Sequence, residues 1–199
     1  MPDMLQDRMK WLKDNGHGLK RSQVDVESIY RLLEQRPKID VFVEIGVFDG
    51  GSLYMIAPFV KQGGLIIGID PAKHHPGRKD PARGDRARAM IAQLVSDGYN
   101  ARMIEKFSAE AIDDVKEILG DRHIDLLHID GNHAYRFVKQ DFDTYSPLVA
   151  KGGIVLMHDI KNLKCGVPEY WKLVKQRYEA RAVELLPNDP TKGSGVVYL

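Results

Sequence analysis

Four short apolar runs constrain the fold more than any other feature of the chain. They cover residues 41–45, 65–69, 124–129 and 153–157, are rich in β-branched side chains, and do not alternate cleanly between apolar and polar. A strand with one wet face alternates, whereas a strand covered on both faces of a parallel sheet reads as a continuous apolar run. Helical periodicities fill the intervals. Leu53, Ile56, Ala57 and Val60 form one face, which Pro58 must kink or shorten. Ala87, Met90, Ile91, Leu94 and Val95 form a second, closed by Gly98. Ile112, Val115 and Leu119 follow Ser108, which is placed to act as an N-cap. Ala134, Val138, Phe142 and Tyr145 precede the fourth run. Val167, Tyr170, Trp171, Val174 and Tyr178 form a last helix, with Pro168 in its first turn.

Residues 102–104, 182–185 and 196–199 are weaker strand candidates, the last two with no helix between them. The expectation is a doubly wound α/β fold, Rossmann-like, with a mostly parallel seven-stranded sheet and an antiparallel C-terminal edge hairpin. Ahead of it, Leu5, Met9 and Leu12 mark one short helix and Val26, Ile29, Tyr30 and Leu33 another, stopped by Pro37. Residues 1–37 are therefore read as a helical cover and 38–199 as the α/β domain. At 199 residues the two together make one structural domain.

Composition narrows the partners. The 29 basic residues are balanced by 28 acidic ones, which gives no reason to expect a nucleic acid. No apolar run approaches the roughly 20 residues that a membrane span needs. The start, Met1-Pro2-Asp3-Met4, shows no charged-then-apolar leader. The single cysteine, Cys165, rules out an internal disulfide and any multi-cysteine zinc site, and is read as structural. A cytoplasmic protein is expected.

In doubly wound sheets ligands bind beyond the carboxyl ends of the strands. The first run leads into Glu44-Ile45-Gly46-Val47-Phe48-Asp49-Gly50-Gly51-Ser52, whose glycines permit a tight turn and close approach to the main chain. The spacing is not G-x-G-x-x-G, and no P-loop pattern occurs. Asp70 ends the second run, where a carboxylate can accept from ribose hydroxyls; the alternative is a helix cap or a solvated Asp before Pro71. Together the loop and the acid favour an adenosine-type ligand.

These two segments resemble the first two motifs of class I S-adenosylmethionine-dependent methyltransferases. Residues 128–135, His-Ile-Asp-Gly-Asn-His-Ala-Tyr, and residues 148–159, ending His158-Asp159, resemble the small-molecule O-methyltransferase branch. They are similar in particular to the family containing macrolide-sugar O-methyltransferases and cephalosporin-hydroxylase-like proteins. The resemblance runs from about Val41 to Leu199. It implies S-adenosyl-L-methionine as cofactor and a hydroxyl of a sugar or natural-product intermediate as acceptor. Gly46, Val47, Phe48 and Ser52 would face the methionine part, with Glu44 beneath it and Asp130 nearby. Asp70 would hold the ribose and Ser108 would sit near the adenine.

Methyl transfer to a hydroxyl needs the acceptor held in line and its proton removed. Asp130 ends the fourth strand and Asp159 follows the fifth, so both lie on the ligand side and could share a hard divalent cation such as Mg²⁺; some relatives in the resembling family bind a metal. Those relatives carry an acidic pair, or Asp-Asn, after the fifth strand; His158-Asp159 departs from that, so that the metal is absent or a softer ion such as Mn²⁺ accepts the imidazole of His158. Asn132 could offer a carbonyl oxygen or simply shape the turn. His133, three residues beyond Asp130, is the expected general base, working with Asp130; in the resembling family a histidine at this position is given that role. It could instead cap a helix. His128, inside its strand, is read as a core residue.

Between Ala72 and Arg88 runs a basic loop with Lys73, His74, His75, Arg78, Lys79, Arg83, Arg86 and Arg88. It is either a solvated loop or a lid meeting a carboxylate or phosphate on the acceptor. The N-terminal helices, with Trp11 and Tyr30, would cover the acceptor site or form the surface of a homodimer. Two other classes stay open: an NAD-dependent oxidoreductase, which should show the full glycine fingerprint, and a cofactor-binding protein without catalysis.

Overall fold

The computed structural model describes residues 2–72, 82–186, 188 and 193–199. Seven strands form one sheet: β1 (Ile39–Ile45), β2 (Val60–Ile69), β3 (Asn100–Ile104), β4 (Ile124–Ile129), β5 (Val149–His158), β6 (Ala182–Glu184) and β7 (Ser194–Tyr198). Their order is β3-β2-β1-β4-β5-β7-β6. The first five run parallel, and β7 enters antiparallel between β5 and β6. The expected C-terminal hairpin is thus present, with β6 as the edge.

Strand parity explains why the sequence shows continuous apolar runs. Phe42, Ile66, Leu126, Leu156 and Val196 join one core. Their chain neighbours Val41, Val43, Ile67, Leu127, Val155 and Val197 join the other. Successive side chains point to opposite faces, and each face is roofed by helices. Helices α1 (Pro2–Asp14), α2 (Gln23–Glu34), α3 (Gly51–Ile56) and α4 (Arg83–Ser96) cover the first. On the second lie α5 (Ser108–Leu119), α6 (Tyr135–Tyr145) and α7 (Val167–Tyr178). Burial of each large aliphatic side chain contributes about 1.5–3 kcal/mol, so this two-sided packing is the main stabilising term. Leu5, Leu12, Val26, Ile29 and Leu33 belong to the first core, so the N-terminal helices pack directly on the sheet.

Local differences from the expected helices have physical causes. Pro58 ends α3 at Ile56, a 3₁₀ turn follows at Ala57–Phe59, and Val60 already begins β2. Val95 is exposed rather than part of the buried face of α4. Ser108 is the first residue of α5, not its cap; Phe107 takes the N-cap position, and the Ser108 hydroxyl is engaged elsewhere. Among the described residues no helix is long and apolar enough to cross a membrane.

Candidate active site

The strand order reverses between β1 and β4, and a cavity of about 600 Å³ opens at their carboxyl ends. That is where open α/β sheets bind ligands, and the volume suits a small molecule. Its wall collects nearly every residue singled out in the sequence. Gly46, Val47, Phe48, Ser52, Asp70, Ser108, Asp130, His133, His158 and Asp159 all line it. Glu44 does not; it lies fully buried below the floor.

Gly46 shows how tightly the floor is built. Its φ is +92°, and a β-carbon there would stand 2.2 Å from the Asp130 carbonyl oxygen. The glycine is needed because β4 closes against it, a reason distinct from the expected approach of a ligand. Two non-glycine residues of the wall, Phe48 (φ 56°) and Asp159 (φ 60°), also occupy the left-handed region. Such conformations cost free energy and gather at functional sites.

Asp70, at the end of β2, accepts the Phe48 N–H on Oδ2 at 3.1 Å and the Ala72 N–H on Oδ1 at 2.8 Å. The Ser108 hydroxyl donates to Asp141 at 2.5 Å, while Tyr145 donates to the Ser108 carbonyl at 2.6 Å. These bonds fix the start of α5 at the cavity edge. Burial pushes the Asp141 carboxyl up to about 6, and the Ser108 bond only partly opposes the shift.

A polar network runs beneath and beside the cavity. Ser52 donates to Glu44 Oε1 at 2.5 Å, and His128 Nδ1 meets the same oxygen at 2.6 Å. Glu44 and His128 are register partners on β1 and β4. Arg21, from the segment before α2, contacts His128 Nε2 and donates to Asp130 Oδ2 at 2.9 Å, Asp25 Oδ2 at 2.9 Å and Ser194 Oγ at 3.1 Å. A guanidinium can only donate, so Nε2 of His128 accepts and its hydrogen resides on Nδ1, facing Glu44. His128 is therefore a satisfied core residue, as expected.

Asp130 is the hub. Its Oδ1 accepts from His158 Nδ1 at 3.1 Å and meets His133 Nε2 at 3.2 Å. Burial alone would raise this carboxyl, but the Arg21 charge and the two imidazoles outweigh it and hold it well below the usual carboxylate range. His158 moves the other way: burial, and then the Arg21 charge, lower it despite Asp130 and Asp159. His133 is half-buried and has its Nδ1 3.2 Å from Asp159 Oδ2.

Ligand-type atoms of Asp130, His133 and Asp159 lie within 4.8 Å of one another. Of the expected metal set, Asp130 and Asp159 are thus brought together, but the converging nitrogen is that of His133. His158 also places Nδ1 3.1 Å from Asp130 Oδ1 and 3.8 Å from Asp159 Oδ2, though it is not one of the three converging groups. Asn132 shapes the turn: its Oδ1 accepts the Ala134 N–H at 3.0 Å. Cys165 packs at the second core with Sγ on the Asn162 carbonyl, as a structural thiol does. Of the basic loop, Lys73, His74, His75, Arg78 and Lys79 lie outside the described residues; Arg83, Arg86 and Arg88 belong to α4.

Sequence reasoning missed Arg21, Asp25 and Ser194. One signal was available. Glu44, His128, His158 and Ser194 share strand parity with the apolar residues of the first face, which marks a buried polar patch. Such a patch needs a partner of opposite charge from the helices above it, and Arg21 and Asp25 supply it.

Comparison with known proteins gives the family and the fold. A family model described as "Methyltransferase domain" matches residues 43–160. An uncharacterised protein of Sinorhizobium fredii is 38% identical over 136 residues, 65% of this chain, although the chain spans only 14% of that protein. An uncharacterised protein of Acanthamoeba polyphaga mimivirus is 31% identical over 79% of this chain and 68% of its own length. Among solved structures, the O-methyltransferase TomG of Streptomyces achromogenes, in complex with SAM, superposes with a TM-score of 0.67 at 14% identity. The match covers 98% of this chain and 88% of TomG. CalS11, a TDP-rhamnose 3′-O-methyltransferase of calicheamicin biosynthesis, gives 0.62 at 18% identity, over 99% and 93% of the two chains. The fold is shared with both, and the family match over more than half the chain fixes the lineage: this protein belongs to the methyltransferase domain family.

Proposed function

We propose that the chain transfers the methyl group of S-adenosylmethionine to a hydroxyl of a small molecule, a sugar or a natural-product intermediate. One observation carries the reading: His133 stands between the carboxylates of Asp130 and Asp159 on the wall of a cavity that also holds Asp70 and Ser108. When bound, the sulfonium supplies an electrophilic methyl group. Asp70 accepts from the ribose hydroxyls, the start of α5 at Ser108 flanks the adenine, and Gly46, Val47, Phe48 and Ser52 face the amino-acid end. His133 takes the proton of the acceptor hydroxyl as its oxygen attacks. The two carboxylates beside it stabilise the imidazolium that forms, as an acid orients and supports a catalytic histidine. Walls of Ile45, Val47 and Ile69 keep water from the reacting centre.

The convergence of Asp130, His133 and Asp159 favours a second arrangement of the same site. Two carboxylates and an imidazole fit a divalent ion of intermediate softness, Mn²⁺ better than Mg²⁺. Such an ion would act as a Lewis acid on the acceptor hydroxyl. His133 would then be a ligand and not the base.

Isothermal titration with S-adenosylmethionine, its demethylated product and NAD⁺, each with Mn²⁺, Mg²⁺ or EDTA, tests the reading. Micromolar binding of the first two is expected, with no binding of NAD⁺. A response to NAD⁺ alone overturns it, and enhancement by Mn²⁺ selects the metal arrangement.

A further inference from the structure

Two cations of the cavity wall take no part in the network around Asp130. Lys20 lies on the segment before α2 and Arg83 is the first residue of α4; both line the cavity. Both rest on one aromatic ring. The Phe48 ring centroid is 3.8 Å from the Arg83 guanidinium carbon and 5.5 Å from Lys20 Nζ.

Their neighbours behave differently. Arg21 is paired with Asp25 and Asp130, Arg86 with Asp49, and Arg88 with Asp85 and Glu105. Among the described residues Lys20 and Arg83 make no ion pair with a carboxylate, and the Arg83 Nε is buried without a hydrogen-bond partner. A buried donor left unmade costs free energy, and a guanidinium is shaped to give two parallel bonds to a carboxylate or phosphate. The ring holding the two cations is itself fixed. Phe48 sits at a positive φ, and its amide is tied to Asp70. Gly18, two residues before Lys20, packs so closely that a β-carbon would stand 3.1 Å from Phe48 Cε1.

We infer that Lys20 and Arg83, spaced by Phe48, form a clamp for an oxyanion, a carboxylate or phosphate carried by one of the two ligands of the proposed reaction. The inference rests on that reaction for its ligands. The oxyanion is either the carboxylate at the amino-acid end of the cofactor or an anionic group on the acceptor.

Calorimetric titration of the wild type, of Lys20→Met/Arg83→Met and of the milder Arg83→Gln separates the two sources. The first arm compares S-adenosylhomocysteine with methylthioadenosine, which lacks the amino-acid carboxylate. If the clamp holds that carboxylate, the double variant binds S-adenosylhomocysteine roughly tenfold or more weakly and binds methylthioadenosine as the wild type does. The second arm titrates inorganic pyrophosphate into protein with and without S-adenosylhomocysteine. If the clamp holds an acceptor anion, the wild type binds pyrophosphate, and the variants lose roughly tenfold or more. Unchanged affinities in both arms, in variants with wild-type circular dichroism, overturn the clamp. Should the double variant not fold, Arg83→Gln decides by the same criteria. A wild type that binds no S-adenosylhomocysteine refutes the proposed reaction instead, and the pyrophosphate arm then decides the clamp alone: a wild type that binds no pyrophosphate either overturns it.

Discussion

The guanidinium of Arg21 donates to the carboxylate of Asp130 at 2.9 Å, although 109 residues separate them in the chain. The contact joins the N-terminal helical segment, which lies outside the residues matched by the methyltransferase family, to the hub of the candidate active site. Arg21 is almost fully buried and bonds two carboxylates, an imidazole and a hydroxyl at once. Arg21→Met would leave Asp25 and Asp130 without their counter-charge. Breaking a buried pair from one side costs about 3–5 kcal/mol, and urea denaturation at pH 7 should show a loss of that size. The pair's contribution is complete above pH 3.8 and is lost only as pH falls through the depressed folded value of Asp130. Arg21→Met should therefore also begin acid unfolding at a higher pH. A loss under about 1 kcal/mol would mean that the pair behaves like an exposed one.

Gly46 and the Asp130 backbone make a second such coupling. An added methyl would meet the Asp130 carbonyl at 2.2 Å, and backbone cannot swing aside as a flexible side chain can. Gly46→Ala should cost about 3 kcal/mol or more, and should weaken S-adenosylhomocysteine binding by displacing Asp130. Gly152 supplies the control: its φ is +83°, and a methyl added there would meet nothing within 4 Å. Gly152→Ala should cost only the roughly 1–2 kcal/mol of the left-handed backbone. Equal losses at the two positions would refute the steric explanation.

The sheet was legible because burial on both faces imposes a pattern on every strand, and the pattern survives without knowledge of the helices above. The ends of β1, β2, β4 and β5 were legible for a related reason, since topology sends their next residues to one edge; Gly46, Asp70, Asp130 and Asp159 follow from that. What topology does not encode is which imidazole turns inward. His133 and His158 are both near Asp159, and only the path of the turn after β4 brings His133 within 3.2 Å. Arg21 was illegible by position, because it reaches the site from a segment whose own pattern reads only as an ordinary amphipathic helix start. Ser108 was misread as a cap since a serine before an apolar periodicity carries no mark of where its hydroxyl turns; Asp141 draws it away.

Asp141 makes the stability of the protein depend on pH. Its carboxyl is at about 6 in the folded protein against an ordinary 3.8, with burial as the main cause. A raised carboxyl favours the folded state when protonated, so stability should fall as pH rises from about 4 to about 6 and level off above. The shift corresponds to at most about 3 kcal/mol. Asp141→Asn keeps an oxygen for the Ser108 hydroxyl and removes the charge. It should unfold at higher urea concentration than the wild type at pH 7, with the difference vanishing near pH 4. A wild-type advantage at pH 7 would contradict the assignment.

His133 bears the chemical step of the proposed reaction, and its substitution separates catalysis from binding. His133→Asn removes a base whose ring is the least buried member of the Asp130 cluster, so the fold should be kept. Loss of a general base costs roughly 10²–10⁴ in rate. S-adenosylhomocysteine affinity should stay within a few-fold of wild type, because the substitution leaves the proposed cofactor contacts, Asp70 and residues 46–52, in place. The acid-side limb of the pH–rate profile should disappear with the imidazole. If His133 is instead a metal ligand, Mn²⁺ affinity falls together with the rate, and added Mn²⁺ restores part of the activity. A His133→Asn protein with wild-type turnover and an unchanged pH profile would remove the histidine from the mechanism.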